Sequence, residues 1–136
     1  MKYLLFLLIL FFTVQTTSAQ EENLAQEKAT DENAIYNTTF IEVKPQFPGG
    51  LQEFYNYIGK KYKTSNVKGL KGRVLVTFVI EKDGSVTDIK VIEDIGYGTG
   101  EEAIRVLKKC KKWIPAEQNG KKVRVQYSLP INIEAN

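Results

Sequence analysis

Histidine is absent from all 136 residues, and cysteine occurs once, as Cys110. The first absence removes the commonest general base and the commonest metal ligand. Ser85, Ser128 and the other hydroxyls therefore have no imidazole to activate them as nucleophiles. The lone thiol forbids an internal disulfide, so the chain must fold on its core. Cys110 falls on an apolar helical face, which reads as a small buried residue. Long apolar runs are scarce as well. The longest, Leu4 to Phe12, is shorter than the roughly 20 residues that span a bilayer. Proline is rare, four in all, and forms no Pro-rich spacer. Acidic pairs occur at Glu93-Asp94 and Glu101-Glu102, but helix caps and solvated surface account for them better than acid–base catalysis. Gly96-x-Gly98-x-Gly100 lacks the Lys-Ser/Thr ending of a phosphate loop. Together these absences point away from an enzyme, and no cofactor or metal is expected.

What is present begins with Met1-Lys2, the apolar run, and small residues at Thr17 and Ala19. This pattern reads as a secretory signal peptide over residues 1–19. The alternative is a retained inner-membrane anchor. Residues 20–43 carry six acids against Lys28 and few large apolar groups, and are expected to form an acidic, flexible leader. Residues 44–136 carry 17 Lys and Arg against 10 Asp and Glu, and form the expected domain. Six lysines, Lys108, Lys109, Lys111, Lys112, Lys121 and Lys122, admit two readings. One is a solvated helix end that suits the macrodipole. The other is contact with an anionic surface such as an acidic partner, a cell-wall polymer or lipid headgroups. Export argues against nucleic acid.

Periodicity then places the elements. Phe40 to Val43 alternates as a short strand would. Leu51, Phe54, Tyr55, Ile58 and Tyr62 recur at helical spacing after Pro48-Gly49-Gly50. From Gly72, Val74, Val76, Phe78 and Ile80 share one strand face, while Leu75 and Val79 make the other partly apolar, as in a central strand. Asp83-Gly84 supplies left-handed turn residues for a hairpin. The step from Val86 to Ile89 breaks alternation and predicts a bulge near Thr87-Asp88. Thr99 and Glu102 are spaced as a capping box, opening a helix whose buried stripe is Ala103, Ile104, Leu107 and Cys110. Asn119-Gly120 turns the chain again. In the last strand Val123, Val125, Tyr127, Leu129, Ile131 and Ile133 alternate with Arg124, Gln126, Ser128, Pro130 and Asn132. A proline lacks the ladder N–H, which places this strand at a sheet edge. The expected fold is α+β: a small three-stranded antiparallel sheet packed on one side by two helices. An exposed edge is also a surface on which a second copy could pair, making a homodimer.

The ordered set Pro45-Gln46-Phe47-Pro48-Gly49-Gly50, Lys71-Gly72-Arg73-Val74, Phe78 to Val86, Glu102 to Val106, Trp113-Ile114-Pro115-Ala116, Asn119-Gly120-Lys121 and Val125 to Ile131 resembles the C-terminal domain of the TonB family, in its Bacteroidetes form. The likeness covers about residues 44–134. It implies a periplasmic domain whose sheet edge captures the N-terminal segment of an outer-membrane TonB-dependent receptor as an added strand. In an anchored family member, that grip passes energy from the inner membrane to nutrient uptake. Carried onto this chain, the receiving residues are Val123, Arg124, Val125, Gln126, Tyr127, Ser128, Leu129, Pro130 and Ile131. Arg124 and Gln126 are the foremost candidates for side-chain contacts with the captured segment.

Overall fold

A computed structural model describes residues 31–136. The signal-peptide reading and the first part of the leader lie outside the described residues. Seven elements follow in order: β1 (Ile35–Asn37), α1 (Leu51–Lys61), β2 (Lys71–Ile80), β3 (Val86–Glu93), α2 (Thr99–Lys108), β4 (Ala116–Gln118) and β5 (Lys121–Glu134). Strands run in the order β1-β5-β2-β3, with β4 also pairing β5. The α+β class with two helices therefore holds, but the sheet has five strands and is mixed, since β1 runs parallel to β5. The two extra strands are three residues each, too short for alternation to register in the sequence.

The frame is the antiparallel ladder of β2 with β5, in unbroken register from Lys71↔Glu134 to Ile80↔Val125. Val74, Val76, Phe78 and Ile80 are fully buried on the helix-covered face. On the other face Val79 and Thr77 are also buried, because β2 has a neighbour on both sides. The β2–β3 pairing slips once between Thr77 and Val79, opposite Asp88 and Ile89. Asp88 adopts a left-handed φ of 47° there, so the bulge falls where the break in alternation placed it. A second slip lies between Leu75 and Val76.

The β2–β3 turn differs in detail from the expected one. Only Gly84 is left-handed, with φ 85°. Glu81 N–H donates to the Ser85 carbonyl and Gly84 N–H to the Glu81 carbonyl, which is a three-residue loop with glycine in the bulge position. Asn119-Gly120 does form the tight two-residue turn, both residues having positive φ.

An aromatic cluster fills the space between sheet and helices. Trp113 lies 4.7 Å from Phe54, 5.2 Å from Tyr127 and 5.5 Å from Phe47, centroid to centroid. Such tilted and edge-on pairs add to simple burial. Phe54 and Ile58 are the buried residues of α1. In α2 the buried stripe is Ala103, Val106 and Leu107, with Ile104 turned partly outward. The predicted stripe is thus rotated, because Val106 lies one turn from Ala103 on the face that meets the sheet.

Two further expectations are corrected. Phe40 to Val43 forms no strand; Val43 makes a single bridge to Glu117, and Phe40 is exposed. The capping box does not form. Gly98, in the left-handed region, is the N-cap of α2 and makes no side-chain cap. Thr99 is buried and its hydroxyl donates within the preceding loop, 2.8 Å from Asp94 Oδ1 and 2.7 Å from the Gly96 carbonyl. Glu102 instead accepts from Lys63 N–H at 2.8 Å and pairs with Arg105. Arg105 also donates to the Lys61 carbonyl at 2.8 Å, so the two residues clamp the end of α1 onto α2. Tertiary contacts outbid the local cap.

Candidate functional site: the outer edge of the last strand

β5 has β2 on one side and β1 on the other. Which of its backbone groups face outward follows from strand geometry. Glu81 faces Ser85 across the β2–β3 turn, so even-numbered β2 residues turn their N–H and C=O groups to β5. The register pairs Ile80 with Val125 and Phe78 with Tyr127, so odd-numbered β5 residues answer them. Even-numbered residues, Lys122 to Glu134, then address the outer edge. Pro130 is among them. Its missing N–H would have pointed away from β2, which is why an interior position of a long ladder tolerates it.

This edge is only partly free. β1 pairs with it in parallel register, Ile35↔Arg124, Tyr36↔Val125 and Asn37↔Gln126. The expectation that β5 is the sheet border is corrected over 124–126, where β1 is the border. The cause is a segment too short to show a strand pattern. β1 ends because Asn37 turns the chain: its side-chain oxygen accepts from Thr39 N–H at 2.8 Å, and its carbonyl from Phe40 N–H. Among the described residues, no strand pairs with the outer edge from Tyr127 onward.

Eight of the nine residues of the expected receiving strand fall into two sets, and Arg124 stands apart. Val123, Val125, Leu129 and Ile131 are buried in the core, and Tyr127 is half-buried against Phe78 and Trp113. Burial pushes the Tyr127 phenol pKa up. These side chains hold the strand in place and face away from any newcomer's solvent side. Gln126, Ser128 and Pro130 are exposed on the opposite face. Arg124 is committed inside the protein. Its guanidinium donates to both carboxylate oxygens of Glu81, at 2.7 and 3.0 Å, and Thr87 donates to Glu81 at 2.6 Å. The Arg124 bond holds the Glu81 carboxyl below its ordinary pKa, with burial opposing.

Two clefts flank the edge. One, of about 360 Å³, lies between Tyr55, Gly59 and Tyr62 and the β5 residues Leu129, Ile131 and Ile133. The other, of about 510 Å³, is lined by Thr38, Phe47, Leu51, Trp113, Tyr127 and Ser128. Tyr55 is 43% exposed and Leu51 52%, so apolar surface borders the open part of the strand. Periodicity assigned both to the one apolar face of α1; Tyr36, Tyr55 and Leu51 carry no sequence signal for a site beyond being large apolar groups.

The six lysines are all exposed. Lys108 closes α2 and Lys109 is its C-cap. Lys112 reaches Asp83 at 3.4 Å, and Lys121 and Lys122 open β5. The Asp83 pKa falls to about 2, chiefly through bonds from the Ser85 hydroxyl and backbone and secondarily from Lys112. Cys110 is half-buried, and burial raises its thiol pKa, opposed by the indole N–H of Trp113. Trp113 Nε1 is buried without a hydrogen-bond partner among the described residues, so the indole acts on the thiol by proximity and not through a formed bond. Among the described residues no group of His, Cys, Asp and Glu could hold a metal ion. Nor is any helix among them long and apolar enough to cross a membrane.

The described chain is thus a small α+β domain with a long terminal strand, partly open along one edge and bordered by apolar clefts. Its sequence identifies the family: residues 63–134 match the Gram-negative bacterial TonB protein C-terminal family, to which the chain belongs. Protein TonB of Helicobacter pylori strain ATCC 700392/26695 is 38% identical over 74 residues, covering 54% of this chain and 25% of that protein. Protein TonB of strain J99 is 38% identical over 73 residues with the same coverage. The chain thus spans about a quarter of the length of these curated relatives. An NMR solution structure of the Helicobacter pylori TonB C-terminal domain is 30% identical, with a TM-score of 0.45, covering 63% of this chain and 80% of that one.

Proposed function

We propose that the domain is a non-enzymatic module of the periplasm that binds an extended peptide by strand addition on the outer edge of β5. The peptide is the N-terminal segment of an outer-membrane TonB-dependent receptor, and the role is in TonB-dependent outer-membrane transport. The observation that carries this reading is the row of outward backbone groups on β5 beyond Gln126, which no described strand occupies. Backbone ladder bonds would supply affinity, and the clefts beside Tyr55 and Tyr127 would take alternate side chains. Arg124 serves this reading through its bond to Glu81, which fixes β5 against the β2–β3 turn. Gln126 and Ser128 remain the side chains that a partner can reach.

The test is an NMR titration of the isotopically labelled protein with peptides spanning receptor N-terminal segments. Shifts concentrated in the amides of residues 123–134 are expected. Unchanged amides there, with the peptide in large excess, would end the reading.

A further inference from the structure

We infer that β1 is a built-in occupant of the peptide-receiving edge, and that an incoming strand must displace Ile35–Asn37 to dock fully. The inference rests on the reading of the β5 edge given above. It names the competition at that edge and the chemistry of the strand that wins it.

Three observations carry it. First, β1 already performs strand addition: a short extended segment lies parallel to β5 over Arg124–Gln126. Second, Pro130 divides the outer edge. A strand laid over residues 127–134 must cross it, and there one of the strand's carbonyls finds no donor. The even-numbered residues on the other side, Lys122, Arg124, Gln126 and Ser128, all keep their N–H groups. The best continuous ladder therefore includes the three residues that β1 covers, and natural strands are commonly about five to six residues long. Third, β1 is held lightly. It is three residues long, its pattern is exposed, half-buried, exposed, and the turn at Asn37 stops it from extending. Ile35 is 46% exposed. Only Tyr36 packs against the core.

The occupant also describes its competitor. The displacing strand runs parallel to β5. It places a large aromatic or apolar side chain opposite Val125, where Tyr36 now packs, and its flanking residues face solvent, where Ile35 and Asn37 tolerate either polarity. Because the site is open only in the fraction of molecules with β1 released, apparent affinity is lowered by that fraction.

The experiment uses the full chain and a labelled synthetic peptide of residues 33–39 supplied in trans. Tyr36→Pro removes the β1 N–H and the ring together. A second form, Asn37→Cys with Gln126→Cys in a Cys110→Ser background, locks β1 in place when oxidised. The peptide should bind Tyr36→Pro about tenfold more tightly than the unaltered chain, as expected if some tenth of molecules are open. It should bind the locked form not at all, with recovery on reduction. Amides of residues 35–37 in the unaltered chain should move to free-chain positions as the peptide binds, while those of β3 stay put. Equal affinity across the three forms, or binding that leaves 35–37 in place, would overturn the inference. If Tyr36→Pro loses the dispersed β3 signals of the folded state, the oxidised and reduced lock decides alone. Receptor peptides form a separate arm. Their failure to bind any form, with the 33–39 peptide behaving as expected, removes the receptor reading and keeps the competition. Their equal binding to every form does the reverse.

Discussion

Gly84 joins the β2–β3 turn to the core, and Gly84→Ala separates two costs that usually come together. Its φ of 85° lies in the left-handed region, where an added Cβ costs about 1–2 kcal/mol. That Cβ would also stand 1.9 Å from the Trp113 carbonyl oxygen and 2.9 Å from its carbon. The obstacle is backbone and cannot swing aside, so the turn or the Trp113 segment must move. Either movement strains the 2.8 Å bond from Trp113 N–H to the Gly84 carbonyl, worth about 1 kcal/mol. It also loosens an indole with four aromatic neighbours. The total expected loss is about 3 kcal/mol or more. Gly120→Ala is the control: its φ is 73° and nothing lies within 4 Å of the added Cβ, so only the conformational cost of about 1 kcal/mol applies. Urea unfolding followed by fluorescence of Trp113, the one tryptophan, measures both. The two variants should differ by about 2 kcal/mol, or roughly 8–16 °C in melting temperature for a domain of this size. Equal losses would refute the close-approach argument and leave backbone strain as the whole effect.

Phe54→Ala removes a fully buried ring set between Phe47 and Trp113; a loss of about 3–5 kcal/mol is expected, measured by the same unfolding assay, while a loss under about 1 kcal/mol would mean the cluster collapses to fill the space. Acid should act through Glu102, whose pKa is lowered to about 2, first by the Arg105 hydrogen bond and further by Lys63 N–H, with burial opposing. A carboxyl depressed in the folded state stabilises it above the ordinary carboxylate pKa, and that contribution fades as pH falls from about 4.5 toward 2. Melting temperature should therefore drop across that window, and less steeply in Glu102→Gln; identical slopes would show that the clamp between α1 and α2 does not set the acid limit.

The local sequence was enough for the elements with a long repeat. Alternation over Val123–Ile133 and Val74–Ile80, and helical spacing through Phe54 and Ile58, each repeat often enough to outweigh noise. The bulge was legible because one misplaced residue, Asp88, shifts all that follow. Glycines in Gly84 and Gly120 marked turns because only they accept those angles cheaply. Pro130 showed that one side of β5 lacks a full ladder, since a missing N–H is a property of the residue itself.

Tertiary structure alone decided the rest, because it depends on residues far apart in the chain. Thr99 and Glu102 have the spacing of a cap, yet Asp94 and Gly96 take the hydroxyl and Lys63 and Arg105 take the carboxylate. Arg124 alternates outward like any surface residue, and only the fold brings Glu81 to it. Above all, Ile35-Tyr36-Asn37 has no strand pattern of its own. Three residues become a strand because an edge with unmet hydrogen bonds lies beside them, and that edge exists only once β2 and β5 have paired.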